Sequence, residues 1–135
     1  MKITADTNLL VRVATGDDDK QAATARQILM TAESVIVPLP CILEFVWVLR
    51  SVYGFSRDDV AGALRALIES GKVMTDIVAV RAGLRVHAAG GDFADGIIAA
   101  SGAGMGAETF VSFDGKAVRQ IVLVGLPARH AGELA

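Results

Sequence analysis

The sequence is short of the residues that small disulfide-bonded and zinc-binding domains depend on. It holds a single cysteine, Cys41, so no intramolecular disulfide can form, and its 2 histidines make no His/Cys grouping at zinc-ligand spacing. Charge is sparse and nearly balanced, 13 Lys and Arg against 15 Asp and Glu, and the net charge of -2 argues against a dedicated nucleic-acid scaffold, which is usually clearly basic. No apolar run is long enough to span a bilayer; the nearest, residues 35–49, is broken by Glu44. The opening Met-Lys-Ile-Thr-Ala-Asp lacks the apolar core of a signal peptide. With the scarcity of cysteine, this predicts a cytoplasmic protein that does not engage a membrane. No internal repeat, low-complexity tract or linker breaks the chain.

What the sequence has is apolar residues in short blocks of alternating period. At 135 residues and 53% hydrophobic it reads as one domain, residues 1–135, with a substantial core and a loose tail from residue 128 onward. Lys2 to Ala5 reads as a strand running into a helix that stops at Gly16, and Asp17 to Asp19 open a second helix. Ser34 to Leu39 reads as a buried strand, and Cys41 to Tyr53 as a helix apolar nearly all round. Ser56-Arg57-Asp58-Asp59 has the form of a capping box, Val73 to Met74 is a short strand, and Asp76 precedes a helix that ends at Gly90-Gly91. A further helix starts at Asp92, and Thr109 to Phe113 and Ile121 to Val124 read as the last strands. This alternation predicts an α/β fold, a three-layer α/β/α sandwich with a mostly parallel central sheet of about five strands.

Five acids stand out against that layout. Asp6 and Asp114 each close a predicted strand, and in open parallel sheets the ligand crevice lies at the carboxyl ends of the strands. Glu44 is alone in an apolar helix, where a buried carboxylate needs a partner or a cation; the ordinary reading is an acid near the helix start that reaches solvent. Asp92 and Asp95, three positions apart at the start of the next apolar helix, read first as an acidic capping box, with Asp92 the N-cap. If the acids assemble, two carboxylates about 4 Å apart repel by about 4 kcal/mol at an effective dielectric of about 20, and a hard divalent cation offsets this. Oxygen-only ligands select magnesium or manganese, and magnesium held by a few carboxylates is typically completed by a substrate phosphate. A metal-dependent nuclease also escapes the argument from net charge, because its acidic site is counted against it. The glycines at 102, 104 and 106 lie between a helix and a strand, the reverse of a dinucleotide fingerprint, and no P-loop lysine accompanies them.

Asp-Thr-Asn-Leu-Leu-Val-Arg at 6–12, Glu-Phe-Val-Trp-Val-Leu at 44–49, Asp-Phe-Ala-Asp-Gly-Ile-Ile-Ala-Ala at 92–100 and Phe-Asp at 113–114 together resemble the PIN-domain ribonucleases. Among them the likeness is to VapC-type toxins of type II toxin-antitoxin systems. The resemblance implies catalytic acids at Asp6, Glu44, Asp95 and Asp114, with Asp6 and Asp95 as the regular magnesium ligands. It implies supporting roles for Asp92, Ser112, Thr7 and Asn8. The implied activity is hydrolysis of RNA phosphodiesters by a Mg2+-dependent endoribonuclease, manganese being a possible substitute. The implied partners are a cognate VapB-type antitoxin, the RNA substrate and a second copy in a homodimer. A catalytically silent PIN-like domain that only binds a partner or RNA is the alternative, and its mark would be a substituted acid. A receiver-like domain would need an acidic pair after the first strand, which Asp6-Thr7-Asn8 does not supply. Where many relatives carry another aromatic residue after the last acid, this chain has Gly115-Lys116-Ala117. Arg12, Lys116 and Arg119 are candidate phosphate contacts. His87 and Cys41 read as packing residues, Phe45 and Trp47 as core or subunit contacts, and His130 as tail.

Overall fold

Short strands, every one paired in parallel, alternate with amphipathic helices, as the apolar blocks of the sequence require. The computed structural model describes residues 1–134, and the chain divides into two units, Met1–Ile77 and a second from Val78 onward.

The first unit runs β1 (Lys2–Thr4), α1 (Thr7–Thr15), α2 (Asp19–Thr31), β2 (Ser34–Ile36), α3 (Leu39–Ser51), α4 (Arg57–Ile68) and β3 (Val73–Met74). Its sheet has the order β1-β2-β3, with Lys2 opposite Ser34 and Val35 opposite Val73. Gly16 ends α1 in the left-handed conformation, φ 66°, and donates its N–H to the Arg12 carbonyl. Ser56 caps α4 by accepting from the Asp59 N–H, as its capping-box sequence predicts. Leu10, Val35, Ile42, Phe45, Leu49 and Leu64 form the buried centre of this unit.

The second unit contains α5 (Ile77–Ala88), which starts at the boundary, then α6 (Phe93–Gly104), β4 (Phe110–Ser112), α7 (Gly115–Leu123) and β5 (Ala128–His130), closed by a 3-10 turn at Ala131–Glu133. Val86, Ala99 and Ile121 form a cluster, with Phe110, Val124, Leu126 and Ala128 packed against it. Close approach of α5 and α6 depends on two glycines. A Cβ at Gly96 would stand 2.8 Å from the Ala82 carbonyl oxygen and from Gly83 Cα, and one at Gly83 would stand 2.7 Å from the Phe93 ring. Because the obstacles at Gly96 include backbone atoms, a side chain there cannot be absorbed by a rotamer change.

Three expectations are corrected. The strands do not make one sheet of about five: among the described residues β1, β2 and β3 form one sheet, and β4 pairs only with β5. Strands of two or three residues carry few ladder bonds, and each parallel pair is closed by its own helical crossover. Second, Ile121 to Val124 is no strand. Asp114 caps a helix whose Ala117 and Ile121 are buried one turn apart, so the run continues that helix with period 3.6. Third, residues 128–130, read as loose tail, form β5, with Phe110 opposite Ala128 and Ser112 opposite His130; the single-domain reading also extends to Ala135, which lies outside the described residues.

Gly96→Ala is expected to cost about 1–3 kcal/mol by overpacking, measured by urea unfolding. Gly102→Ala in the same helix, whose Cβ would meet only Ala107 Cβ at 3.8 Å, is expected to stabilise by about 0.5–1 kcal/mol.

Candidate active site

In the first unit the two acids of interest are joined through one buried residue. Asp6 ends the β1 segment and caps α1, accepting the Thr7 N–H at 2.8 Å on Oδ1. Thr7, the first residue of that helix, points its hydroxyl toward α3 and donates to Glu44 Oε2 at 3.2 Å. Cys41 Sγ lies 3.6 Å from the same hydroxyl, but one hydrogen serves one acceptor well, and the carboxylate is the stronger. Cys41 itself contacts the Ala5 carbonyl, 3.5 Å away. Burial pushes the Cys41 thiol up; the Thr7 hydrogen bond opposes this, and the charges of Asp6 and Glu44 add to it. The thiol therefore stays protonated and inert, the packing role read from the sequence.

Glu44 reaches solvent, as its ordinary reading has it, but from a different turn of the helix. It is exposed, and with Pro38 as the N-cap of α3 it lies in the second turn rather than the first. Neither burial in an apolar helix nor the helix macrodipole accounts for it. Its contact is the Thr7 hydroxyl, on the rim of a cleft of about 350 Å3 that is also lined by Asp6, Asn8, Arg12, Val52 and Tyr53. Arg12 is fixed there: Nε donates to Gln21 Oε1 at 2.7 Å and Nη1 to the Tyr53 hydroxyl at 3.3 Å, while Asp17 Oδ2 stands 3.6 Å from Nη1. The Tyr53 hydroxyl in turn donates to Asp17 at 2.9 Å. Arg12 also lines an adjoining cleft with Lys20, Gln21 and Thr24. Sequence reasoning missed Tyr53, Asp17 and Gln21, since three polar residues on separate segments leave no local pattern.

In the second unit, Asp92 caps α6, its Oδ1 accepting from the N–H groups of Ala94 and Asp95 at 2.8 and 3.2 Å. Asp114 caps α7 in the same way, through Lys116 and Ala117 at 3.0 and 3.2 Å, and its own N–H donates to Ser112 Oγ at 2.9 Å. Asp95 is half-buried in the first turn of α6, and among the described residues its carboxylate has no hydrogen-bond or ion-pair partner. Its pKa is raised, first by burial and then by the charges of Asp92 and Asp114. That combination marks the acid of this unit whose ionised form is disfavoured. His87 is buried edge-on to Phe93, with centroids 6.4 Å apart, as a packing histidine. Lys116 and Arg119 are exposed on α7. His130 is ordered in β5 rather than part of a tail.

The PIN domain family profile matches residues 3–121, and the chain belongs to the PIN domain family. Its fold is of nuclease type, a three-layer α/β/α sandwich in the family, whose members generally use divalent metal ions. No curated protein matches the chain.

Among the described residues no group of three His, Cys, Asp or Glu side chains is arranged to hold a metal ion. Asp6, Asp92 and Asp114 each commit one carboxylate oxygen to a helix N-terminus, which sets the direction of the side chain. The donor chemistry still suits a hard cation. The ligands on offer are carboxylate oxygens, the thiol and His87 are packed away, and Asp95 is a carboxylate whose charge a cation would stabilise. Magnesium is commonly held by one or two carboxylates with water and phosphate rather than by a full protein cage.

Because the pKa of Asp95 is raised in the fold, its ionised form costs stability above its folded pKa, and the cost vanishes below the unfolded value. Solvent screens this partly exposed group, so Asp95→Asn is expected to raise the melting temperature of metal-free protein at pH 7 by only about 1–3 °C. The gain should disappear as the pH falls through the carboxylate range. Asp92→Ala, which removes a cap, should instead destabilise by about 1 kcal/mol at neutral pH, read from the same melts.

Proposed function

We propose that the chain is a Mg2+-dependent endoribonuclease that hydrolyses RNA phosphodiesters. In this reading it is a cytoplasmic VapC-type toxin of a type II toxin-antitoxin pair, held inactive by a VapB-type antitoxin. The carrying observation is Asp95, a half-buried carboxylate without a partner among the described residues and disfavoured by burial and by two neighbouring acids, in a chain whose family generally uses divalent cations. All four acids that carry the resemblance are present, and the family match, from residue 3 to residue 121, spans Asp6, Glu44, Asp95 and Asp114.

In this reading Asp6 and Asp95 are the magnesium ligands that the resemblance implies, Glu44 and Asp114 are the further catalytic acids, and manganese substitutes for magnesium. A bound divalent ion supplies an activated water and neutralises charge on the phosphate. Glu44, whose Oε2 takes the Thr7 hydrogen, keeps Oε1 to accept a water proton. Arg12, already oriented by Gln21 and Tyr53, binds an RNA phosphate beside the Asp6–Glu44 cleft. A homodimer is supported by α3, which leaves Trp47 63% exposed, with Val52 just past its end 64% exposed, instead of burying them as core.

The test is RNA cleavage in magnesium, with cellular RNA ends mapped after induction of wild type and of Asp95→Asn. Asp6→Asn and Asp95→Asn are expected to lose at least about a hundredfold in kcat with unchanged circular dichroism. Arg12→Gln is expected to raise KM more than it lowers kcat. Identical RNA ends from wild type and Asp95→Asn would overturn the reading in favour of a silent binding domain. Millimolar magnesium or manganese is expected to raise the melting temperature of wild type by mass action, and that of Asp95→Asn much less.

A further inference from the structure

β5 and His130 lie beyond the family match, which ends at residue 121, yet they reach back to the last of the acids. His130 Nδ1 accepts the Gly132 N–H at 3.0 Å, which leaves the proton of the neutral ring on Nε2. Nε2 then donates to the Phe113 carbonyl at 2.9 Å, and the ring stands edge-on to Phe113, centroids 6.0 Å apart. The N–H of that same peptide unit belongs to Asp114 and donates to Ser112 Oγ at 2.9 Å. Both polar groups of the Phe113–Asp114 peptide are thus engaged by side chains, from neighbouring positions of the β4–β5 pair. The fixed peptide plane places N and Cα of Asp114, and with its φ of -81° this sets the Cα–Cβ direction; Oδ1 then meets the Lys116 and Ala117 N–H groups.

We infer that His130 is a positioning residue for Asp114. By clamping the Phe113 carbonyl it sets the plane from which the Asp114 carboxylate departs. Its consequence for catalysis rests on the nuclease reading above; its consequence for Asp114 does not. A histidine that merely fastened β5 would act through its ring and its bulk, whereas positioning requires the Nε2 donor. Ser112 holds the other half of the same peptide, so its loss should act in the same direction.

The experiment uses the full chain with His130→Phe, which keeps a ring and removes the hydrogen bonds, and His130→Gln, which keeps a donor. Ser112→Ala attacks the same peptide independently should His130→Phe fold poorly. Amide hydrogen exchange at Lys116 and Ala117 is read by NMR, and kcat and KM are read on RNA with magnesium. His130→Phe and Ser112→Ala are expected to speed exchange at both amides and to lower kcat by about tenfold at nearly constant KM, with His130→Gln close to wild type. Unchanged exchange at Lys116 and Ala117 in His130→Phe would overturn the inference. So would equal losses in His130→Phe and His130→Gln, which would mean that the donor is not what matters. If wild type itself cleaves no RNA, the nuclease reading fails and the exchange rates alone decide the role of His130.

Discussion

An aspartate in extended conformation just before a helix meets the backbone N–H groups of that helix, and the candidate site residues Asp6, Asp92 and Asp114 all depend on that interaction. Each contributes one carboxylate oxygen to the cap and leaves the other outside it. The first turns of α1, α6 and α7 need acceptors for N–H groups that have no partner within the helix. A chain that answers this need with aspartate rather than serine concentrates negative charge at its helix starts. Capping and cation binding are therefore compatible uses of one residue, and the cap supplies the orientation that a ligand requires.

Asp95 is the exception that gives the arrangement a chemical direction. It stands in the first turn of a helix already capped by Asp92, so its carboxylate is left without a partner among the described residues. Burial and the charges of Asp92 and Asp114 disfavour its ionised form. α6 packs against α5 so closely that a Cβ at Gly96 would meet the backbone of Ala82 and Gly83. In the first unit Thr7 plays the corresponding part: one buried residue holds the Asp6 cap through its N–H and Glu44 through its hydroxyl. Of the other residues for which the resemblance implies supporting roles, Ser112 accepts the Asp114 N–H on its hydroxyl. Asn8, the other supporting residue, is exposed on the wall of the same cleft as Asp6.

Two kinds of information were legible in the sequence. Local backbone demands were one: the stop at Gly16, the capping box at Ser56 and the acidic start of α6 each depend on a few consecutive residues. Alternation of apolar blocks was the other, and it carried the α/β class and the parallel pairing. The run Ile121 to Val124 misled because four apolar residues fit a strand or a helix equally well, and only the burial of Ala117 and Ile121 one turn apart separates them.

Tertiary structure decided what depends on residues far apart in the chain. That Glu44 is tied to Thr7, 37 positions away, could not be read from an apolar helix with one acid in it. Nor could the holding of Arg12 by Gln21 and Tyr53, or the return of His130 to Phe113 across 17 positions. The sequence by itself determined the class of fold and the caps, because propensity, periodicity and capping act over a turn or two. The division of the strands between two sheets, the lack of a partner for the Asp95 carboxylate among the described residues and the hydrogen bond from His130 to Phe113 were settled only by folding, because packing and long-range hydrogen bonds choose among the arrangements that local rules leave open.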